Sequence, residues 1–282
     1  MLNKVLQEVK SFLYKNRIML NYPDKKASEN EVNLDRFFPE EGENCGDFLS
    51  EVCVKYLLEK EKKSNNSNKD FCHLYAIGSI LQMGYQDACI WGTGFAFELD
   101  NLRSKLHSSK VRKLDVRAVR GPKTRSQLLS LGHECPEIYG DPAIIMPLIY
   151  TPQTDKTQEY IIIPHFSMFE QTREMYPEVC VINMDTADYK YVIDKICSAK
   201  KVITSSLHGI ILAETYGVPA VYYSDRPERF QYKYEDWYES TNRKIDAAKS
   251  VEEAVNKQPP VLPELDEMRK NLIKAFPYDL WK

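Results

Sequence analysis

No stretch of the chain runs the roughly 18–20 uninterrupted apolar residues of a bilayer-spanning helix, and the N-terminus lacks a signal peptide's compact apolar segment and small-residue cleavage site. The expectation is a cytoplasmic protein with at most peripheral membrane contact. No Cys-x-x-Cys pair occurs. Cys45, Cys53, Cys72, Cys89, Cys135, Cys180 and Cys197 are odd in number and scattered, which fits neither a disulfide scaffold nor a zinc knuckle and reads as reduced thiols. Positive charge is not in excess either: Lys+Arg total 38 against Asp+Glu 41, a formal net charge of -3, so no nucleic-acid partner is expected. A P-loop Gly-Lys-Ser/Thr, a His-Glu-x-x-His zinc site and a Gly-x-Ser-x-Gly elbow are all missing, which sets aside the chemistries they carry.

What is there describes a folded protein. The 282 residues are 43% hydrophobic and 28% charged, enough chain for about two domains, each with its own core. Leu2, Val5, Leu6, Val9, Phe12 and Leu13 fall at helical spacing among Lys4, Lys10, Lys15 and Arg17, an amphipathic helix suited to docking on the core or resting on a membrane surface. Residues 59–70 turn polar and read as an exposed loop.

Short apolar runs then alternate with helical patterns. Residues 72–77, 88–91 and 116–119 read as buried strands, and 122–131 as a helix with proline in its first turn. Strand patterns recur at 160–163, 179–182, 201–204 and 220–223, between helices at 187–198 and 207–216. This order predicts parallel sheets covered on both faces, the α/β class. The proline-bearing polar stretch 150–159 divides an N-terminal α/β domain (1–150) from a second (151–258), two Rossmann-like domains facing a cleft. Pro259, Pro260 and Pro263 precede a helical tail (259–282), carrying Leu265, Met268, Leu272 and Ile273, that is suited to crossing back onto the first domain.

The sharpest local signal is the strand-turn-helix around Ser205-Ser-Leu-His-Gly209. A helix N-terminus offers unpartnered amides and a positive dipole, Ser205 and Ser206 add hydroxyls, Gly209 permits close approach, and His208 can exchange a proton. A second reading stays open, in which a serine only caps the helix and His208 is a packed imidazole. Arg120 ends a strand before Gly121-Pro122, where a guanidinium suits bidentate capture of a carboxylate or phosphate. Asn44 and Asp47, beside Gly42 and Gly46 at a helix start, suit either capping or sugar recognition with Asp47 as a base. His165 after Ile163-Pro, and the turn Gly92-Thr93-Gly94, join the candidates. So does the aromatic and charged run 226–238 with Arg229, Phe230, Lys233, Tyr234, Asp236 and Trp237, which suits a lid over a sugar or phosphate.

Asn44-Cys-Gly-Asp47, Ile90-Trp-Gly-Thr-Gly94, Val119-Arg120-Gly-Pro122, Tyr139-Gly-Asp-Pro-Ala143, Ile163-Pro-His165, Ser205-Ser-Leu-His-Gly209 and Phe230 to Trp237 together resemble the polysaccharide pyruvyltransferase family, in that family's order. The resemblance covers roughly residues 42 to 240. It implies a GT-B-like pair of domains and transfer of pyruvate from phosphoenolpyruvate, the donor substrate, to a sugar of a bacterial surface glycan. The acceptor side extends to a polyprenyl-linked oligosaccharide, and neither cofactor nor metal is demanded. Residue by residue, it implies Arg120 near the donor, His208 handling phosphate or a proton, and His165 matching a family Pro-His. Asn44 and Asp47 fall on the acceptor side, with Asp47 activating the hydroxyl. Ser206 departs from the pattern, standing where many relatives have arginine, so Ser205, Ser206 and the helix amides must take the anion. Two other readings stand beside this one: a GT-B glycosyltransferase using a nucleotide sugar, and a non-catalytic glycan-binding relative.

Overall fold

The structure, a computed structural model, describes residues 31–37, 39, 42–68, 72–83, 87–99, 112–224, 227 and 230–282. The amphipathic pattern at 2–13, and Arg226 and Arg229 of the anticipated lid, lie outside the described residues.

Two parallel sheets organise the chain. The first has strand order β1-β2-β3-β4, formed by Val32–Asp35, Cys72–Tyr75, Ala88–Trp91 and Leu114–Ala118. The second has order β5-β6-β7, formed by Ile161–Ile163, Val202–Thr204 and Ala220–Tyr222, with Ile163 opposite Thr204 and Thr204 opposite Tyr222. All three strands of the second sheet are wholly buried, as continuous apolar runs must be when both faces are covered.

The helices follow their local signals. In α1 (Cys45–Lys60) the side chain of Asn44 accepts the amide of Asp47 at 3.3 Å, so Asn44 is the cap and Asp47 sits inside the first turn, a correction to the expectation that Asp47 itself caps. α2 (Pro122–Ser130) opens on proline, whose missing N–H would be unpaired there anyway. α3 (Phe169–Met175) is short, and α4 (Tyr189–Cys197) buries Val192, Ile193 and Ile196 along one stripe. Every residue of α5 (Leu207–Thr215) is buried, which its all-round apolar sequence requires. α6 (Tyr232–Ser240), α7 (Val251–Asn256) and α8 (Asp266–Lys274) complete the set.

One hydrophobic cluster runs through both sheets, from Leu49, Cys53 and Leu57 of α1 through Leu74 and Trp91 to Ile163, Val202 and Leu212. A 3-10 turn, Pro142–Leu148, packs against α1, α5 and α8 in the middle of that core. The C-terminal segment lies on the first sheet: Trp91 Nε1 donates to the carbonyl of Leu272 at 2.8 Å, Phe276 stands edge-on to the same indole, and Asn68 N donates to Leu280 O at 2.8 Å.

Two expectations need correcting. Residues 179–182 form no strand; they touch β5 through one bridge, Ile162 to Val181, because the chain then turns away so that Met184 O accepts the amide of Cys45 at 2.7 Å. Strand β1, with Asn33 and Asp35 alternating with Val32 and Leu34, was not anticipated, being a short edge strand with half its residues polar. The loop expected at 59–70 begins two residues late, since α1 runs to Lys60.

Candidate active site

Ligands of parallel α/β proteins bind beyond the carboxyl ends of the strands. Here the chain leaving β2, β3, β5 and β6, the start of α1 and the start of α6 converge on one cavity of about 320 Å³. Phe37, Met83, Phe97, Phe166 and Met184 supply apolar wall; Asn44, Asp47, His165, Ser206, His208 and Lys233 supply polar groups.

Asp47 is buried on that wall. Loss of water pushes its carboxyl up to about 6, while the nearby His208 and Lys233 pull the other way. A carboxyl with that value exchanges a proton near neutrality, as an acid or base must.

His208 is the second residue of α5 and passes directly over the start of α1. A Cβ on Gly46 would lie 1.8 Å from His208 Nδ1, so no residue but glycine leaves room for the imidazole. On the other side, His208 Nε2 lies 3.6 Å from Oδ2 of the fully buried Asp141. Asp141 Oδ1 accepts the amide of Ala143 at 2.9 Å and so caps the Pro142–Leu148 turn.

The anion-binding end is built by α5. Ser206 Oγ accepts the amide of Gly209 at 3.3 Å, and Ser206 N donates to Thr204 Oγ1 at 2.9 Å. The next amides, of Leu207 and His208, precede the first intrahelical donor, Ile210 N, which bonds Ser206 O at 3.1 Å, and both residues line the cavity at the positive end of the helix dipole. Lys233 brings an ammonium from α6, 5.1 Å above the ring of Tyr234.

Seven of the residues singled out from sequence therefore meet at one cavity: Asn44, Asp47, His165, Ser206, His208, Phe230 and Lys233. Asn44 spends its side-chain oxygen on the α1 cap, and His165 Nδ1 lies 3.0 Å from Ser167 Oγ with its ring against Phe166. The others stand behind the wall. Ser205 is fully buried, its Oγ accepting from His165 N at 2.8 Å and its carbonyl from Tyr234 Oη at 2.6 Å. Gly209 gives its amide to Ser206. Thr93 Oγ1 and Gly94 N both donate to Gly78 O, at 2.8 and 3.1 Å, and so brace the cavity loop at Gly78 and Ser79, whereas Gly92 N donates to Ala118 O at 2.9 Å.

Arg120 is the main correction. It does not line the cavity; its guanidinium is fully buried and directed inward. Nε donates to Asp236 Oδ2 at 3.0 Å, Nη1 to Ser79 Oγ at 2.6 Å and Nη2 to Phe95 O at 2.6 Å. Asp236 also accepts the amide and hydroxyl of Thr124, at 2.9 and 2.7 Å. A Cβ on Gly121 would meet Asp236 O at 1.9 Å, which shows how closely α6 docks on α2. Arg120 thus reaches the cavity only through Ser79, and Lys233 takes over as the cation in the wall.

Asp141 was quoted in the Gly-Asp-Pro signature and given no role. An Asp directly before proline is a helix-start signal, and that signal hid its second oxygen. Phe37, Met83 and Met184 come from irregular segments and leave no periodic trace in the sequence.

Among the described residues no helix is long and apolar enough to cross a membrane, and no group of three or more His, Cys, Asp or Glu side chains is placed to hold a metal ion. Fold and site define an α/β protein with a cavity at the carboxyl ends of two parallel sheets. Residues 46–227 match the profile of the polysaccharide pyruvyl transferase family, and the chain belongs to that family. Among curated proteins it is similar to the uncharacterised protein L143 of Acanthamoeba polyphaga mimivirus, 27% identical over 158 residues; the match takes in 53% of this chain and 52% of that protein, so the chain spans about half the length of the relative. Among solved structures it resembles an uncharacterised protein of Klebsiella pneumoniae, with a TM-score of 0.51 and 16% identity over 86% of this chain and 98% of the other, a likeness of fold alone.

Proposed function

We propose that the protein transfers pyruvate from phosphoenolpyruvate to two hydroxyls of one sugar residue, closing a cyclic ketal. The reading includes a GT-B-like division into two lobes, near residue 150, around the cavity. Protonation of the enol methylene makes C2 electrophilic; one hydroxyl adds there, phosphate leaves with the electron pair of its C2–O bond, and the second hydroxyl closes the ring. Of the two hydroxyl protons lost, the balance places one on the new methyl and one on the phosphate. The α5 amides, Ser206 and Lys233 suit the donor's phosphate and carboxylate, and stabilising the leaving phosphate lowers the barrier. The aromatic wall, including Phe37 and Phe166, suits the apolar face of a sugar. A lipid-linked acceptor at the inner face of a membrane fits the same opening.

The observation that carries the reading is that Asp47, its carboxyl pushed up to about 6 by burial, and the imidazole of His208 share one cavity with a helix N-terminus. Incubation with phosphoenolpyruvate and a glycan offering paired hydroxyls is expected to release phosphate and add the mass of one pyruvyl ketal. His208→Ala and Lys233→Ala are expected to abolish or strongly reduce both. Thermal protection by a sugar nucleotide, with none by phosphoenolpyruvate, would overturn the reading in favour of glycosyl transfer.

A further inference from the structure

Two polar atoms at the back of the cavity are buried with no hydrogen-bond partner: Asp141 Oδ2 and His208 Nε2. They face each other at 3.6 Å. Leaving either unpaired costs on the order of 1–3 kcal/mol, and each is placed to satisfy the other. Between a carboxylate and an imidazole, the arrangement that does so puts a proton on Nε2, since a ring lone pair aimed at a carboxylate would repel it. The carboxylate cannot swing away without surrendering its bond to Ala143 N, and the flank of the ring is closed by Gly46. With Nε2 turned to the core, Nδ1 is the ring nitrogen left to the cavity that His208 lines.

Resting on the pyruvyl-transfer reading, we propose that Asp141 is a positioning residue that holds His208 in its Nε2–H tautomer, making Nδ1 the acceptor of the attacking hydroxyl's proton. Asp47 is then the acid. Its carboxyl gives a proton to the methylene carbon as the sugar oxygen bonds to C2, and the hydroxyl proton passes to Nδ1. The imidazolium, paired with Asp141, returns that proton to the phosphate oxygen as the C2–O bond breaks. The second hydroxyl closes the ketal and its proton restores Asp47. The groups that face His208 from the packed elements are Asp47 of α1, Asp141 of the 3-10 turn and Lys233 of α6, with His165 on the same cavity wall.

The test starts with nitrogen-15 NMR of histidine-labelled full-length protein, which reads the tautomer without substrate. Wild type is expected to carry the proton on Nε2. In Asp141→Asn the amide oxygen keeps the Ala143 bond and turns the NH2 toward Nε2, so the proton is expected to move to Nδ1. A drop in kcat of about 10²–10⁴-fold with little change in KM for phosphoenolpyruvate should accompany it. An Nδ1–H tautomer in wild type, or an unmoved tautomer in a folded Asp141→Asn, overturns the proposal. Because the wild-type spectrum needs neither a variant nor a reaction, it decides the tautomer even if Asp141→Asn fails to fold or if no pyruvyl transfer is found; failure of that transfer alone would sink the functional reading and leave the tautomer standing.

Discussion

Arg120–Asp236 and His208–Asp141 are both buried pairs of ionisable side chains within reach of the same cavity, and they are built to opposite specifications. Asp236 accepts from Arg120 and from both donors of Thr124, and Arg120 has further acceptors in Ser79 and Phe95. Arg120 and Asp236 are both fully buried and neither lines the cavity. In the second pair one oxygen and one nitrogen are unpaired, and the imidazole borders the cavity. A saturated buried pair holds elements together, here α6 against the first sheet; an unsaturated one at a cavity wall keeps capacity for a proton in transit. Arginine in a motif with glycine and proline looks like an anion site in one dimension, and the partner that converts it into a strut lies 116 residues away.

The contrast can be broken experimentally. The largest expected effect on stability is that of Arg120→Ala, which strands a fully buried carboxylate; a loss of roughly 3–5 kcal/mol in denaturant unfolding is expected. An unchanged unfolding midpoint with lost turnover would move Arg120 from strut to chemistry. Asp47→Asn sharpens the other side. Asp47's raised value means that its folded-state cost is absent below the ordinary value of 3.8 and is incurred as pH rises through about 6. The Asn variant is therefore expected to match wild type in strong acid and to exceed it by about 2–3 kcal/mol at pH 8, while losing transfer activity. A stability difference independent of pH would show that the carboxyl is unperturbed. The smallest effect is that of Ser206→Ala, about 1 kcal/mol from loss of the α5 cap, measured as a shift in Tm. A loss of phosphoenolpyruvate binding far beyond that would show the hydroxyl touching the donor directly.

Much of this molecule is readable along the chain. Strand 88–91 and the helices at 122 and 207 carry their own boundaries, through apolar runs ended by Gly92, by the Gly121-Pro122 start and by Ser206 at a cap. The site at the end of β6 follows from the same punctuation. The strand expected at 179–182 failed because three apolar residues announce burial, while pairing depends on a neighbour, and Met184 is instead drawn to Cys45. Arg120 and Asp141 exchanged importance for a similar reason: which donors and acceptors are already taken is a property of distant partners.

Local composition and spacing were enough to decide the α/β class, the helix start that can cradle an anion, and the presence of His208 beside it, because backbone dipoles and capping act over a few residues. Which charges stay available for a ligand was decided only in three dimensions. Satisfaction of a buried group requires atoms brought from far along the chain, as α6 brings Asp236 to Arg120 and the turn at 142 brings Asp141 to His208.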